Sequence, residues 1–268
     1  MGGIVAIGDN VVDKYIDLGI MFPGGNCINV AVLSKRYGVD TAYLGCLGHD
    51  REGKHILKAL TNEGVDISRT RVLEGANAYV NVKLIDGDRK FLGNDRGVSR
   101  NIKLTKEDID FIKAYDVIYT NIYSGIEKQL PLLKSTNRPI AFDFSNHYTK
   151  EYMEEVLPYI DYAFFSGSEM TDQEIRDFLM KVHTYGPDIV LVTKGSRGAC
   201  LLYEGKFYEQ GIVPVKVLDT LGAGDSFISR LLVGILKDEE MGETLQAAAE
   251  EAAKTCTHHG AFGYGISI

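Results

Sequence analysis

Short apolar runs alternate along the chain with stretches in which apolar positions recur every three to four residues. The runs GIVAIG (3–8), TAYLGCLG (41–48), DVIYTNI (116–122), PIAFDFS (139–145), DYAFFSG (161–167) and DIVLVTKG (188–195) are apolar nearly throughout rather than at alternate positions. That continuity predicts strands covered on both faces, the pattern of a parallel sheet. Between them, NCINVAVLSKRYG (26–38) and REGKHILKALTNEG (51–64) read as helices stopped by Gly38 and Gly64. Two later helices open with Thr105/Asp108 and Thr171/Glu174, both at capping-box spacing. Strand and helix in alternation predict an α/β fold over residues 1–268, a mainly parallel central sheet with helices on both faces.

One region breaks the rhythm. Ala78, Val80, Val82 and Leu84 alternate with Tyr79, Asn81, Lys83 and Ile85, and Asp86-Gly87 follows as a strong two-residue turn pair. This predicts an antiparallel ribbon inserted at about residues 72–98. It is either an edge hairpin of the main sheet or, the reading favoured here, a lid over a site near the strand ends. CLLYEGKFYEQ (200–210) predicts a second hairpin with a structural role.

The segment DTLGAGDSF (219–227) carries the chemistry. Ile228, Leu231, Leu232, Ile235 and Leu236 fall on one helical face, so a helix begins near Gly224-Asp225. The first backbone N–H groups of a helix have no intrahelical partner and sit at the positive end of its dipole. Gly222, Ala223 and Gly224 leave room for an anion to reach those donors. The alternative is simple capping by Asp225 or Asp219. Neither a Walker A string nor G-x-G-x-x-G is present, which argues against a P-loop and against a nicotinamide-dependent oxidoreductase.

Composition then acts by exclusion. A net charge of −8 gives no electrostatic footprint for nucleic acid. No apolar run approaches a membrane span, and the N-terminal MGGIVAIGDN has neither the basic start nor the apolar core of a signal peptide. Four dispersed cysteines, Cys27, Cys46, Cys200 and Cys256, predict buried thiols in a reducing, cytoplasmic setting. Adjacent His258 and His259 would point apart on a helix and are not read as a metal pair.

With these motifs in view, the chain resembles the ribokinase-like (PfkB) carbohydrate kinases. DTLGAGDSF is similar to their C-terminal signature and PGGNCINVA (23–31) to their N-terminal one. GDNVVD, LGHDREG and VTKGSRGA follow in the family's order. Within the family, GGNCINVAV, AFDFS and AAKTCTHHGAF most resemble the branch of bacterial fructoselysine 6-kinases. The resemblance implies ATP-dependent phosphorylation of a primary hydroxyl on a sugar or sugar amine, with fructoselysine as the leading substrate. A simple ketose, ribose or a nucleoside is the alternative acceptor. A non-catalytic sugar-binding relative is the alternative of another class.

The same resemblance implies roles. Asp225 would be the base, with its basicity lowered by the helix N-terminus, and Gly222, Ala223 and Gly224 the anion hole. Asp13, Gly24, Gly25 and Asn29, with Asp9 and Asn10 behind them, would bind sugar. Thr193, Lys194, Gly195, Ser196, Ala252 and His259 would hold ATP. Mg2+ is implied with the triphosphate, near Glu169 through water, where Ser166 replaces the family's asparagine. Asp219 stands where the family holds a monovalent cation such as K+. Val11 replaces a common asparagine, which fits an acceptor other than ribose. The ammonium of a lysine-bearing substrate would need an acid, with Asn94-Asp95 on the ribbon as the candidate place, and the lid is a candidate homodimer surface.

Overall fold

A computed structural model describes residues 2–85 and 88–268, and the Asp86-Gly87 turn lies outside the described residues. In chain order the first half runs β1 (Gly3–Ile7), β2 (Val11–Tyr15), β3 (Ile20–Gly24), α1 (Asn26–Arg36), β4 (Asp40–Leu44), β5 (Cys46–Gly48) and α2 (Arg51–Glu63). It continues through β6 (Arg71–Leu73), β7 (Tyr79–Ile85), β8 (Asp88–Asp95) and α3 (Lys106–Ile112). Next come β9 (Val117–Asn121), α4 (Leu130–Lys134), β10 (Ile140–Asp143), α5 (Lys150–Val156), β11 (Tyr162–Ser166) and α6 (Asp172–His183). The chain closes with β12 (Ile189–Thr193), β13 (Ala199–Tyr203), β14 (Lys206–Gln210), α7 (Ala223–Leu236), α8 (Met241–Thr255) and β15 (Ile266–Ser267).

Eight strands form the main sheet in the order β14-β13-β12-β11-β10-β9-β1-β4. Those from β12 to β4 are parallel, and the hairpin β13–β14 adds an antiparallel edge. Successive strand residues feed opposite faces. Ile4 and Ala6 join one core with residues of α1, α7 and α8, while Val5 and Ile7 join the other with residues of α3 to α6. Double coverage is why these strands read as unbroken apolar runs. Thr105 and Thr171 each close a full capping box, and Gly64 ends α2 in the left-handed region at φ 71°.

The predicted ribbon is part of something larger. β7 and β8 pair as expected, but they belong to a separate five-stranded sheet, ordered β15-β3-β2-β7-β8. Three distant segments of chain build it, and the ribbon is no edge of the main sheet. Its β2 and β3, VVDKY and IMFPG, are short and carry no apolar–polar alternation that would mark them in the sequence. TAYLGCLG likewise divides at Gly45, β4 entering the main sheet and β5 pairing with β6. An added Cβ at Gly45 would lie 2.0 Å from the Tyr43 hydroxyl, so the turn-off point admits no side chain.

Candidate active site

Parallel strands bring their carboxyl ends to one edge of the sheet, where open α/β folds bind ligands. α7 starts there. Its N-cap, Gly222, sits at φ 76°, and no side chain caps the helix. The capping alternative therefore does not describe this turn. Asp219 instead braces the loop: its Oδ1 accepts from the Leu221 amide at 3.0 Å, and its Oδ2 accepts from the Tyr15 hydroxyl at 2.5 Å and the Gly260 amide at 3.2 Å. A Cβ on Gly222 would meet the Ala261 Cβ at 2.3 Å, whereas one on Gly224 would meet nothing within 4 Å. Gly222 is thus required by the fold, and Gly224 faces open space at the helix start.

Asp225, on the first turn of α7, is buried, and its Oδ2 accepts a hydrogen bond from Asn29 Nδ2 at 2.7 Å. Burial pushes its carboxyl up from 3.8 to about 7. The Asn29 bond opposes that rise, and the charges of Asp143, Asp9 and Asp13 add to it. The helix N-terminus was expected to lower its basicity; desolvation outweighs it. The carboxyl is held near neutrality, where a general base is most effective.

Asn29 comes from α1, whose entry is the Gly24-Gly25 pair. Asp13, buried on β2, approaches so closely that a Cβ on Gly24 would lie 2.4 Å from its Oδ2. Gly25 has φ 99°, and a Cβ there would fall 2.8 Å from the Asn10 Cα. Asp13, Gly24, Asn29 and Asp225 therefore lie together. Among the described residues the Asn29 Oδ1 is buried with no partner. Asp9 and Asn10 are in place but engaged. Asp9 accepts from the Asn26 and Cys27 amides and from Asn121 Nδ2, tying down the start of α1. The Asn10 amide donates to the Tyr43 hydroxyl and the Cys46 carbonyl.

Two further residues at this edge stood outside the predicted motifs. Asp143 ends β10, buried, accepting from Asn26 Nδ2 at 2.9 Å and the Ser145 amide at 2.7 Å. Burial raises its carboxyl to about 6. Asn121 ends β9. The available signal was a polar residue closing each apolar run, in YTN and FDF, and that signal is weak without knowing which strands are neighbours.

On the far side of Gly224 lies a cavity of about 660 Å3, lined by Thr193, Gly195, Ser196, Ala223, Gly224 and Ala252 among others. This unites the Ala223-Gly224 turn with four of the six predicted nucleotide residues. Exposed apolar residues Ile212, Val215 and Val217 complete one wall. The other two predicted residues go elsewhere. The buried Lys194 ammonium pairs with Glu209 at 2.9 Å and Asp172 at 3.4 Å. His259 packs edge-on to Tyr15 with Nδ1 3.8 Å from Asp219 Oδ2. Glu169 is exposed beside Ser168. Asp95 accepts from the Gly97 amide at 2.8 Å, closing its own turn. A second cavity of about 460 Å3, lined by Tyr162, His183 and Tyr203, contains none of the predicted residues. Among the described residues no helix is long and apolar enough to cross a membrane, and no group of three or more histidine, cysteine or acidic residues is placed to hold a metal.

The model of the pfkB family carbohydrate kinases matches residues 20–263, which takes in both glycine-rich turns and the α7 aspartate. The chain belongs to this family of carbohydrate kinases. The kinase is 41% identical over 98% of its length to the fructosamine kinase FrlD of Bacillus subtilis, covering 93% of that protein. It is 34% identical over 98% of its length to the fructoselysine 6-kinase of Escherichia coli, all of which is covered. The fold of this kinase is also that of Arabidopsis thaliana ribokinase solved with ribose and ATP. The TM-score is 0.84 at 23% identity, with 98% of this chain and 95% of the other covered. A putative ribokinase II from E. coli, solved with ATP and Mg2+, superposes with a TM-score of 0.81 at 22% identity over 98% and 95% of the chains.

Proposed function

We propose that this kinase transfers the γ-phosphoryl group of ATP to the primary hydroxyl of a sugar amine, converting fructoselysine to fructoselysine 6-phosphate. The observation that carries the reading is Asp225. It is buried, tethered by Asn29, raised to about 7, and set on the turn after Gly224, which opens to the cavity. The names of the two relatives favour the sugar-amine acceptor over a plain ketose.

In this mechanism Asp13, Gly24 and the unpaired Oδ1 of Asn29 orient the sugar hydroxyls. Asp225 accepts the proton of the attacking hydroxyl as its oxygen bonds to the γ-phosphorus and the bond to the β-phosphate oxygen breaks, releasing ADP. The first N–H groups of α7 stabilise charge on the transferring group, and such a donor typically contributes roughly 3 kcal/mol. A divalent ion would be carried by the triphosphate, with Glu169 the residue that would reach it through water. Such an ion would neutralise charge on the β- and γ-phosphates. Thr193, Gly195 and Ser196 would cradle the nucleotide, and Asp219 remains the proposed neighbour of a monovalent cation.

The test is ADP release by the purified protein with ATP and Mg2+ across fructoselysine, other fructosamines, fructose, ribose and adenosine, with the product located by 31P–1H NMR. Efficient turnover confined to fructosamines, with phosphate on O6, is expected. Preference for fructose or ribose would overturn the substrate and leave the chemistry.

A further inference from the structure

A lysine-bearing acceptor was expected to meet an acid for its ammonium group, and the residue that stands unpaired at this edge is a cation instead. Arg100 follows the end of β8 by five residues. Among the residues whose side chains are described it is the one arginine that is neither exposed nor within ion-pair distance of a carboxylate. Its Nε donates to the Tyr123 carbonyl at 3.0 Å, which fixes the direction of the guanidinium. Its stem lies over Gly125, where an added Cβ would come within 3.3 Å of the Arg100 Cδ. Gly125 has φ 67°, so the turn calls for glycine.

Contacts then connect Arg100 to the sugar turn. The Tyr123 amide donates to Asn121 Oδ1 at 2.8 Å, Asn121 Nδ2 donates to Asp9 at 2.6 Å, and Asp9 accepts from the Asn26 amide beside Gly25. The Tyr123 hydroxyl bonds Ser145, whose amide donates to Asp143. Arg100 is therefore bonded to the loop after β9 that is tied through Asn121 and Asp9 to the sugar turn, and Asp9, Glu127 and the like-charged Arg96 are near enough to act on it electrostatically. Partial burial weakens its hydration, while its terminal nitrogens keep donors that no described residue uses. A planar guanidinium fixed at one nitrogen and free at its ends is suited to a carboxylate.

We infer that Arg100 is a specificity-determining residue that binds the carboxylate of a glycated amino acid. The inference rests on the sugar-amine reading above and goes beyond it by making the acidic substituent, rather than the amine alone, what the kinase selects. A half-buried cation awaiting an anion favours acceptors with a carboxylate on the amine substituent over neutral sugars of the same ring.

The experiment compares kcat/KM for two acceptors alike in the sugar, fructosylglycine and fructosylethylamine, in wild-type protein and in Arg100→Gln and Arg100→Lys, with thermal unfolding run on each. The wild type should favour fructosylglycine at least tenfold, through KM. Arg100→Gln should bring the ratio close to one, and Arg100→Lys should restore part of it. A preference that survives Arg100→Gln, or a wild type without one, overturns the inference. A variant that stays folded yet loses both acceptors equally does so too, since it would mark Arg100 as a support for the Tyr123 turn. If the wild type phosphorylates fructose and neither fructosamine, the sugar-amine reading itself has failed. Turnover of both without discrimination removes only the carboxylate subsite.

Discussion

Asn29 Nδ2 donates to Asp225 Oδ2 at 2.7 Å across 196 residues of chain, joining α1, which follows the Gly24-Gly25 turn, to α7, which follows the Gly222 turn. The bond orients the carboxylate and moderates its affinity for protons, since it is the leading influence working against burial. Its loss should affect catalysis in a way that a purely structural contact would not.

On that basis kcat/KM should fall below neutrality, with an acid limb set by a carboxyl near pH 7. Asn29→Ala removes the influence that lowers this value, so the limb should move to higher pH. A pH–rate profile of the two proteins checks the direction. An unmoved limb would mean that Asp225 is not the titrating group.

Asp225→Asn should cost on the order of 10³-fold in kcat, the range of a positioned base. Its stability effect has a defined sign. The folded carboxyl is raised from 3.8 to about 7, so the folded state holds its proton after the unfolded state has released it. Below pH 4 ionisation carries no penalty; between pH 4 and 7 the penalty grows; above 7 it is complete, on the order of 4 kcal/mol. Relative to wild type, Asp225→Asn should therefore be most stabilised at pH 8, with the gap closing toward pH 4. Melting temperatures across that range test this.

Two neighbouring glycines should respond oppositely. Gly222→Ala places a Cβ 2.3 Å from that of Ala261 at φ 76°, so it should destabilise the protein. Gly224→Ala meets nothing and gains helix propensity of roughly 1 kcal/mol. It should leave the melting temperature unchanged or higher while lowering kcat, because the new methyl enters the space meant for phosphate. Equal activity in Gly224→Ala and wild type would remove the anion hole from this turn.

Lys194→Met separates the nucleotide site from its scaffold. The ammonium is already held by Glu209 and Asp172 on the protein. The variant should lose about 1 kcal/mol of stability, as expected for partly exposed pairs, with KM for ATP changing less than twofold. A tenfold rise in that KM would return Lys194 to the triphosphate.

Local periodicity and spacing sufficed for much of this. Unbroken apolar runs gave a parallel sheet because both faces are covered, and glycine and threonine punctuation marked the ends of α1, α2, α3 and α6. The clustered small residues before Asp225 marked an uncapped helix start open at Gly224, since their effect depends on backbone within one helical turn. Three things needed the tertiary structure. The small sheet is assembled from β2, β3, β7, β8 and β15, and pairing among distant segments leaves almost no local trace. The proton affinity of Asp225 depends on desolvation and on Asp143, Asp9 and Asp13, charges brought near only by folding. The fates of Lys194, Asp9 and Arg100 depended on whether a partner waited across the fold. Motif position located Lys194 and Asp9, Arg100 lay in no motif, and long-range contact decided whether each was occupied.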